Sequence, residues 1–378
     1  MMNLKRVAAI SKKEFIQIKR DPRSLTLALV IPVILLLIFG YGLSLDIDHV
    51  RMAVWNQDAS SELSRKFLLN FIDSKYFRIT KYTDNYRDIE HMIDSGEIMM
   101  AMVIPKDFSH YLQSGKQAPL QLLVDGSDSN TATIAMNYVR SVVASYNAVL
   151  LVDALDRRGL EPVMAIQSRP RIWFNMGLNS TWFIVPGVLS MIMMIIAALL
   201  TSITVAREWE RGTMEQLIST PVKAPELIIG KFIPYFTIGF FDLIVGVVMA
   251  IFLFGVPFRG NIILLFGLSA LFLTGALSQG ILISIVGKTQ ILSSQLAILL
   301  TFIPTMLLSG FIYPIFNMPK FVQVVTYFVP ASYYIVILRD LFLKGVGISS
   351  MWDQALFMCL FAFLMLGLAI RKFKKKVF

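Results

Sequence analysis

Apolar residues in this chain fall in long uninterrupted blocks separated by short polar stretches, with one broad exception. The blocks are Leu25–Leu43, Trp182–Val205, Phe232–Phe254, Ile262–Val286, Ile291–Phe311 and Met351–Ile370. Each is close to the roughly 20 residues an α-helix needs to cross a hydrocarbon core, so the pattern predicts six transmembrane helices. Residues 1–22, ahead of the first span at 23–45, read as a basic amphipathic helix. Leu4, Val7, Ala8, Ser11, Phe15 and Ile18 share one face, while Lys5, Arg6, Lys12, Lys13, Lys19 and Arg20 lie elsewhere and Asp21-Pro22 closes it. Such a helix suits the headgroup region of an anionic leaflet. It does not read as a cleavable leader, because the next block is long enough to span and no small-x-small site follows it. Pro32 is expected to kink the first span.

The exception is residues 46–178, where Asp, Asn, Ser, Gly and Lys recur throughout. Strand-like pieces (Met52–Trp55, Phe77–Tyr82, Met99–Ile104, Leu120–Val124) alternate with helix-like ones (Ser60–Asp73, Tyr86–Gly96, Lys106–Ser114, Ala132–Arg158), and Val163–Phe174 leads back to the apolar blocks. This alternation predicts an inserted α/β domain with mixed or parallel pairing. The expected fold is thus a polytopic α-helical membrane protein with six transmembrane helices and one inserted α/β domain. Within the helical part, 179–378, the segment 314–347 is apolar but interrupted by Pro330. A seventh span there would carry the lysine-rich tail to the other side. Phe321–Val329 and Ser332–Leu343 therefore read as short re-entrant helices dipping into the outer leaflet.

Composition agrees: 56% of the 378 residues are hydrophobic. The formal net charge of +10 could indicate nucleic acid, but the bases cluster at block ends, where they anchor helices and set topology, so no nucleic-acid partner is expected. Cys359 is the one cysteine, and His49, His91 and His110 share no ligand spacing. No disulfide or metal site is implied. The N-terminal segment, the Arg207–Lys231 loop, Lys288 and the tail Arg371, Lys372, Lys374, Lys375, Lys376 alternate with sparsely basic loops. Both termini are expected in the cytoplasm and residues 46–178 outside.

The polar connection at 206–222 carries unusual local chemistry. In Arg207-Glu208-Trp209-Glu210-Arg211-Gly212-Thr213-Met214-Glu215-Gln216, Gly212 can end one helix in the left-handed conformation. Thr213 with Gln216 reads as a capping box that starts another, and Pro221 stops it after about two turns. Met214, Leu217 and Ile218 form an apolar stripe. The charges read as too exposed to serve stability, so Trp209 and the capped helix are expected to anchor in a cleft of a partner protein, with Arg207, Glu208, Glu210 and Arg211 fixing register. The run from Ala206 to Val222, followed by Pro225-Glu226-Leu227-Ile228-Ile229-Gly230-Lys231, resembles the signature of ABC-2 type transporter permeases, in particular the multidrug-efflux branch with a large extracytoplasmic domain after the first membrane helix. The resemblance covers essentially the whole chain. It implies a coupling helix at 206–222 resting on a separate ATP-binding-cassette ATPase subunit, a second permease subunit (identical or related), a bacterial inner-membrane location and export of drugs or other amphipathic small molecules. A periplasmic adaptor is a further possible partner, besides the lipid bilayer itself.

The chain itself is expected to hold no cofactor, with ATP and Mg on the partner, and to be no enzyme. Gly287-Lys288-Thr289 imitates the end of a phosphate loop, but position 282 is Leu where the first glycine is required. Asp242, near the middle of an apolar block, is the strongest intramembrane anomaly. It reads either as a proton or cation carrier or as an acid that is protonated or hydrogen-bonded to another span. Gln279, Gln295, Thr301 and Thr305 either line a pathway or join helices. Two competing functions remain: an ion-coupled secondary transporter using Asp242, which leaves the 212–221 element unexplained and lacks a visible internal repeat, and a membrane-anchored extracytoplasmic sensor, which lacks a cytoplasmic output domain. The topology is tested by single-cysteine variants in a background lacking Cys359. A membrane-impermeant reagent applied outside is expected to label Ser114→Cys and Ser129→Cys but not Thr220→Cys.

Overall fold

The computed structural model describes residues 3–42, 49–156, 174–175 and 179–373. The predicted lead-back from Val163 (Phe174 excepted), the tail lysines Lys374–Lys376 and the side chain of Ile218 lie outside the described residues. The chain divides into two compact units, Leu45–Arg171 and the remainder.

The first unit opens with α1 (Leu4–Arg20), capped by the Asn3 side chain, which accepts the Lys5 N–H. Its buried face is Val7, Ile10, Ser11, Glu14 and Ile18. That face is rotated from the expected one: Leu4, Ala8 and Phe15 are exposed, because Glu14 has buried partners to meet. Next come α2 (Pro22–Leu25), a π turn (Thr26–Val30) and α3 (Ile31–Gly42). The irregularity expected at Pro32 is thus a π turn just ahead of it, where the Ile31 N–H reaches back to the Thr26 carbonyl. Proline lacks an N–H and crowds the carbonyl four residues back; a widened turn gives that carbonyl room.

In the second unit β1 (Val50–Asn56), α4 (Glu62–Ile72), β2 (Phe77–Tyr82), α5 (Tyr86–Asp94), β3 (Met100–Ile104), α6 (Phe108–Gln113), β4 (Gln121–Val124) and α7 (Ser129–Asp156) follow in order. The strands form one sheet, β2-β1-β3-β4. Its β1/β2 and β1/β3 pairs are parallel and β3/β4 is antiparallel, so the pairing is mixed. Strand alternation divides the core. Val50, Met52 and Val54 pack with Phe67, Phe71, Phe108 and Val139, whereas Ala53, Ala101 and Val103 pack with Ile89 and Met92. Helices therefore cover both faces, as parallel strands require.

The first unit resumes with α8 (Ser180–Glu210), α9 (Thr213–Ser219), α10 (Ala224–Val248) extended by a π turn (Met249–Leu253), α11 (Ile262–Gly287), α12 (Gln290–Ala297), a π turn (Ile298–Phe302), α13 (Ile303–Leu308), α14 (Lys320–Thr326), α15 (Pro330–Arg339) with a π turn (Asp340–Lys344), and α16 (Trp352–Lys372). Pro304 stands two residues after its π turn, as Pro32 does. Among the described residues, five helical runs are long and apolar enough to cross a membrane: Ser180–Glu210, Ala224–Leu253, Ile262–Gly287, Gln290–Leu308 and Trp352–Lys372. The first apolar block gives a shorter helix, Ala28–Gly42. At Pro330 the chain bends by 81° between α14 and the helix that follows, so 314–347 is not a straight span.

The bundle is built around α8, whose most apolar stretch is 89% buried, against 17% for α16. Lipid gives no hydrophobic drive for one helix to seek another, so close approach and hydrogen bonds do the joining. Between α8 and α11, Gly280 meets Thr201 and Ala198, and the Thr201 hydroxyl donates to the Leu277 carbonyl at 3.0 Å. A Cβ at Gly280 would stand 2.5 Å from the Ala198 carbonyl oxygen, whereas one at Gly267 would meet nothing within 4 Å. Gly280→Ala is therefore expected to lower the thermal unfolding midpoint in detergent, at an overpacking cost of about 1–3 kcal/mol. Gly267→Ala is expected to leave it unchanged or raise it.

Candidate functional site

Gly212 has φ +68° with open space around it, and its N–H bonds the Trp209 carbonyl at 3.1 Å. It ends α8 as expected. The capping box does not form. Gly212 itself occupies the position before α9 and no side chain caps that helix. Thr213 is already helical, and its hydroxyl donates back to the Glu208 carbonyl at 3.4 Å. The one-residue left-handed reversal leaves no room for a separate capping residue. α9 ends at Ser219, two residues before Pro221.

The expectation that Arg207 and Glu208 are exposed is wrong. Glu208 is only 3% exposed and Arg207 8%. Glu208 belongs to an ion cluster made by three helices distant in sequence. Lys231 of α10, 1% exposed, places its Nζ 2.6 Å from Oε1 of Glu14 on α1 and 3.1 Å from Oε1 of Glu208 on α8. Lys13 reaches the same Glu208 oxygen at 2.7 Å. The Lys231 Nζ also donates to the Thr204 carbonyl at 3.4 Å, and the Tyr235 hydroxyl donates to Oε2 of Glu14 at 3.4 Å. Two acids face two lysines, so the cluster is neutral. A buried charge survives only when paired and hydrogen-bonded in this way.

The neighbouring charges are also tied inward. Arg207 Nη2 lies 3.3 Å from Asp21 at the end of α1, and its Nε donates to the Gln290 side chain at 3.3 Å. Glu210 accepts the Gln290 N–H at 2.8 Å and its side-chain amide. Ser284 of α11 receives the N–H groups of Val205 and Ala206 at 3.0 and 2.9 Å. Glu226 accepts the Asn3 N–H at 2.7 Å and the Lys223 N–H at 2.9 Å, which pins the start of α1 to the start of α10. Met214 is fully buried, and Trp209 packs partly buried in the same apolar cluster with Ile10, Leu227, Ile281 and Phe373. Trp209 is therefore a brace within its own subunit. What remains outward is Arg211, Gly212, Glu215 and Gln216, with Glu210 exposed but tied to Gln290.

The intramembrane polar residues are not brought together. Asp242 is half-buried and lines a cavity of about 140 Å³ enclosed by the first apolar helix, α8, α10 and α11; Gln279, Gln295, Thr301 and Thr305 do not line it. Thr301 donates within its helix to Ala297 at 2.6 Å, and Gln295 is exposed. The Thr305 hydroxyl and the Gln279 carbonyl oxygen are buried without a hydrogen-bond partner among the described residues. Gly287-Lys288-Thr289 is helix punctuation: Lys288 closes α11 at φ +58°, and the Thr289 hydroxyl accepts the Leu292 N–H to start α12. Sequence reading missed Glu14 and Lys231 as a pair. The available signal was an acid spaced four residues from both Ile10 and Ile18 on the face of α1 that turns inward.

Long apolar helices around a central one, with a short outward helix braced by buried charge, define a multi-pass membrane protein with one short exposed helix on a buried ionic mount. Residues 23–371 match the family described as ABC-2 family transporter protein, and the chain belongs to that family. It is 37% identical over its full length, and over 99% of the relative, to a protein of Escherichia coli (strain K12) named as a probable multidrug ABC transporter permease, YbhS. It is 28% identical to YbhR of the same strain, also named as a probable multidrug ABC transporter permease, over 92% of this chain and 93% of that one. ABC transporter G family member 20 of Dictyostelium discoideum is 24% identical over 90% of this chain but only 46% of its own length.

Removing one member of a buried ion pair strands the other and costs about 3–5 kcal/mol. Lys231→Met, which leaves Glu14 and Glu208 with Lys13 alone, is expected to reduce sharply the yield of monodisperse protein and its thermal midpoint. Glu14→Gln combined with Lys231→Met is expected to recover much of that loss, because Lys13 still pairs Glu208. A double-mutant cycle on the thermal midpoints measures the coupling.

Proposed function

We propose that this chain is the membrane-spanning subunit of an exporter powered by a separate ATP-binding-cassette ATPase, and that the outward face of α9 is where the ATPase engages it. The observation that carries this reading is the combination of an exposed, charged two-turn helix with a mount held by buried ion pairs. Arg211, Glu215 and Gln216 face outward, while Glu208, Met214 and Arg207 behind them are buried. A helix mounted in this way passes displacement to α8 and α10 with little lost in local bending, since packed interiors transmit strain. Arg207, Glu208 and Trp209 thus serve as the brace, and the rim charges of α9 set register and partner choice.

The fuller arrangement belongs to the same proposal. With six spans both termini share one side, and the bases at the block ends favour the cytoplasm of a bacterial cell, with residues 46–178 outside the inner membrane and 314–347 a re-entrant element near the outer mouth. The chain pairs with a second, identical or related permease subunit. ATP and Mg are held by the ATPase, and the outer domain offers a contact for a periplasmic adaptor. The names of the Escherichia coli relatives support drugs and other amphipathic small molecules as cargo.

Co-purification with the ATPase subunit tests the proposal. Arg211→Glu combined with Glu215→Arg is expected to leave membrane insertion and thermal stability unchanged while weakening ATPase attachment at least roughly tenfold, about 1.4 kcal/mol. Substrate-stimulated hydrolysis falls in parallel, and the permease purified alone hydrolyses no ATP. Glu208→Ala is expected to lose stability first, which separates brace from contact. Normal attachment and stimulation in the charge-reversed variant would reduce α9 to an ordinary loop.

A further inference from the structure

Among the described residues, the one acidic side chain lining the cavity between the first apolar helix, α8, α10 and α11 is Asp242, and apart from Tyr235 the lining is apolar. We propose that this cavity is a binding site for a small hydrophobic cation, an ammonium group carried by a single aromatic ring or a body of that size, with Asp242 as its counter-ion. Four observations converge. Asp242 Oδ2 is buried without a hydrogen-bond partner, and no base pairs with the residue among the described residues. The volume, about 140 Å³, is close to that of an aliphatic cavity of roughly 150 Å³ that admits benzene. Tyr235 and Phe241 in the lining supply aromatic faces of the kind that attract ammonium groups. Finally, α10 leaves α geometry where it borders the cavity, at Met249, and such π turns recur at functional sites.

The class of ligand follows from these features. An anion would meet an acid with no compensating base. A neutral apolar molecule would leave that acid unpaired at a cost. A cation pairs with it and favours its ionised form. Leu29 and Phe241 both line the cavity and are 38% and 53% exposed on the flank of the bundle, so a ligand dissolved in the bilayer reaches the site sideways. Tyr235 connects it to the ion cluster, since its hydroxyl donates to Glu14. Regarding the site as one for exported cargo rests on the proposed exporter function; the binding itself does not.

The test uses the full chain in lipid nanodiscs, without ATPase, and two probes of one shape: benzylammonium, charged at neutral pH, and its uncharged carbon isostere ethylbenzene. Binding is read by saturation-transfer NMR titration against empty discs. The cation is expected to bind the native protein saturably and Asp242→Asn at least roughly tenfold more weakly. Asp242→Glu is expected to retain the preference for the cation, and Val33→Phe, which fills the cavity, to abolish binding of both probes. Ethylbenzene is expected to bind Asp242→Asn at least as tightly as the native protein. The proposal is overturned if the cation shows no saturable binding above empty discs, if Asp242→Asn binds it as tightly as the native protein, or if Val33→Phe leaves its binding intact. Monodisperse elution of each variant excludes misfolding. Because no ATPase is present, a negative result here leaves the exporter reading standing, and loss of ATPase attachment to α9 leaves this site standing.

Discussion

A single buried lysine holds the loop end of this membrane protein together. Lys231 sits where α10 begins to be apolar, and its ammonium group is removed from water between Glu14 and Glu208. Neither acid is near it in sequence, so the three helices that bear these residues must arrive together or not at all. Desolvating such charges is expensive, and their mutual attraction offsets that expense only with good geometry and full hydrogen bonding. Lys13, Thr204 and Tyr235 add to the pairing, while Glu208 Oε2 stays buried without a hydrogen-bond partner among the described residues. The gain is specificity of arrangement: a misplaced α1 or α10 would expose unpaired charge to an apolar interior.

The rest of the bundle relies on a different device. With lipid outside, helices are joined by close contact and by hydrogen bonds that reach across from one backbone to another. Gly280 lets α11 approach α8, and the hydroxyls of Thr201 and Ser284 bond across the contact. Where proline would crowd the preceding turn, at Pro32 and Pro304, the helix widens into a π turn. These local departures leave the long apolar runs intact.

Together the ion cluster and the close α8–α11 contact make the junction of α8, α9 and α10 a stiff mount for a short helix whose outer face is free. The same cluster touches the Asp242 cavity through Tyr235, which lines the cavity and bonds Glu14. A push on α9 and an occupant in the cavity would therefore act on one set of side chains. Coupling of this kind needs a contiguous physical element that both sites bias, and on the proposed reading the Glu14–Lys231–Glu208 group lies between the two sites.

Much of this was legible in the residues themselves. Block length announced the membrane helices, because a helix rises by a fixed amount per residue and the hydrocarbon core has a fixed thickness. Alternation gave the strands between residues 49 and 125, and Gly212 marked the helix end, because only a residue without Cβ takes that turn at no steric cost. What the tertiary structure alone decided was which charges face water. Arg207, Glu208, Glu210 and Arg211 look alike in sequence, yet two are buried and two exposed, because the partners of Glu208 come from residues about two hundred positions earlier and about twenty later. The capping box failed for a related reason: whether Thr213 stands before a helix or inside it depends on where the left-handed residue falls. Local rules name the elements; burial and pairing belong to the assembled fold.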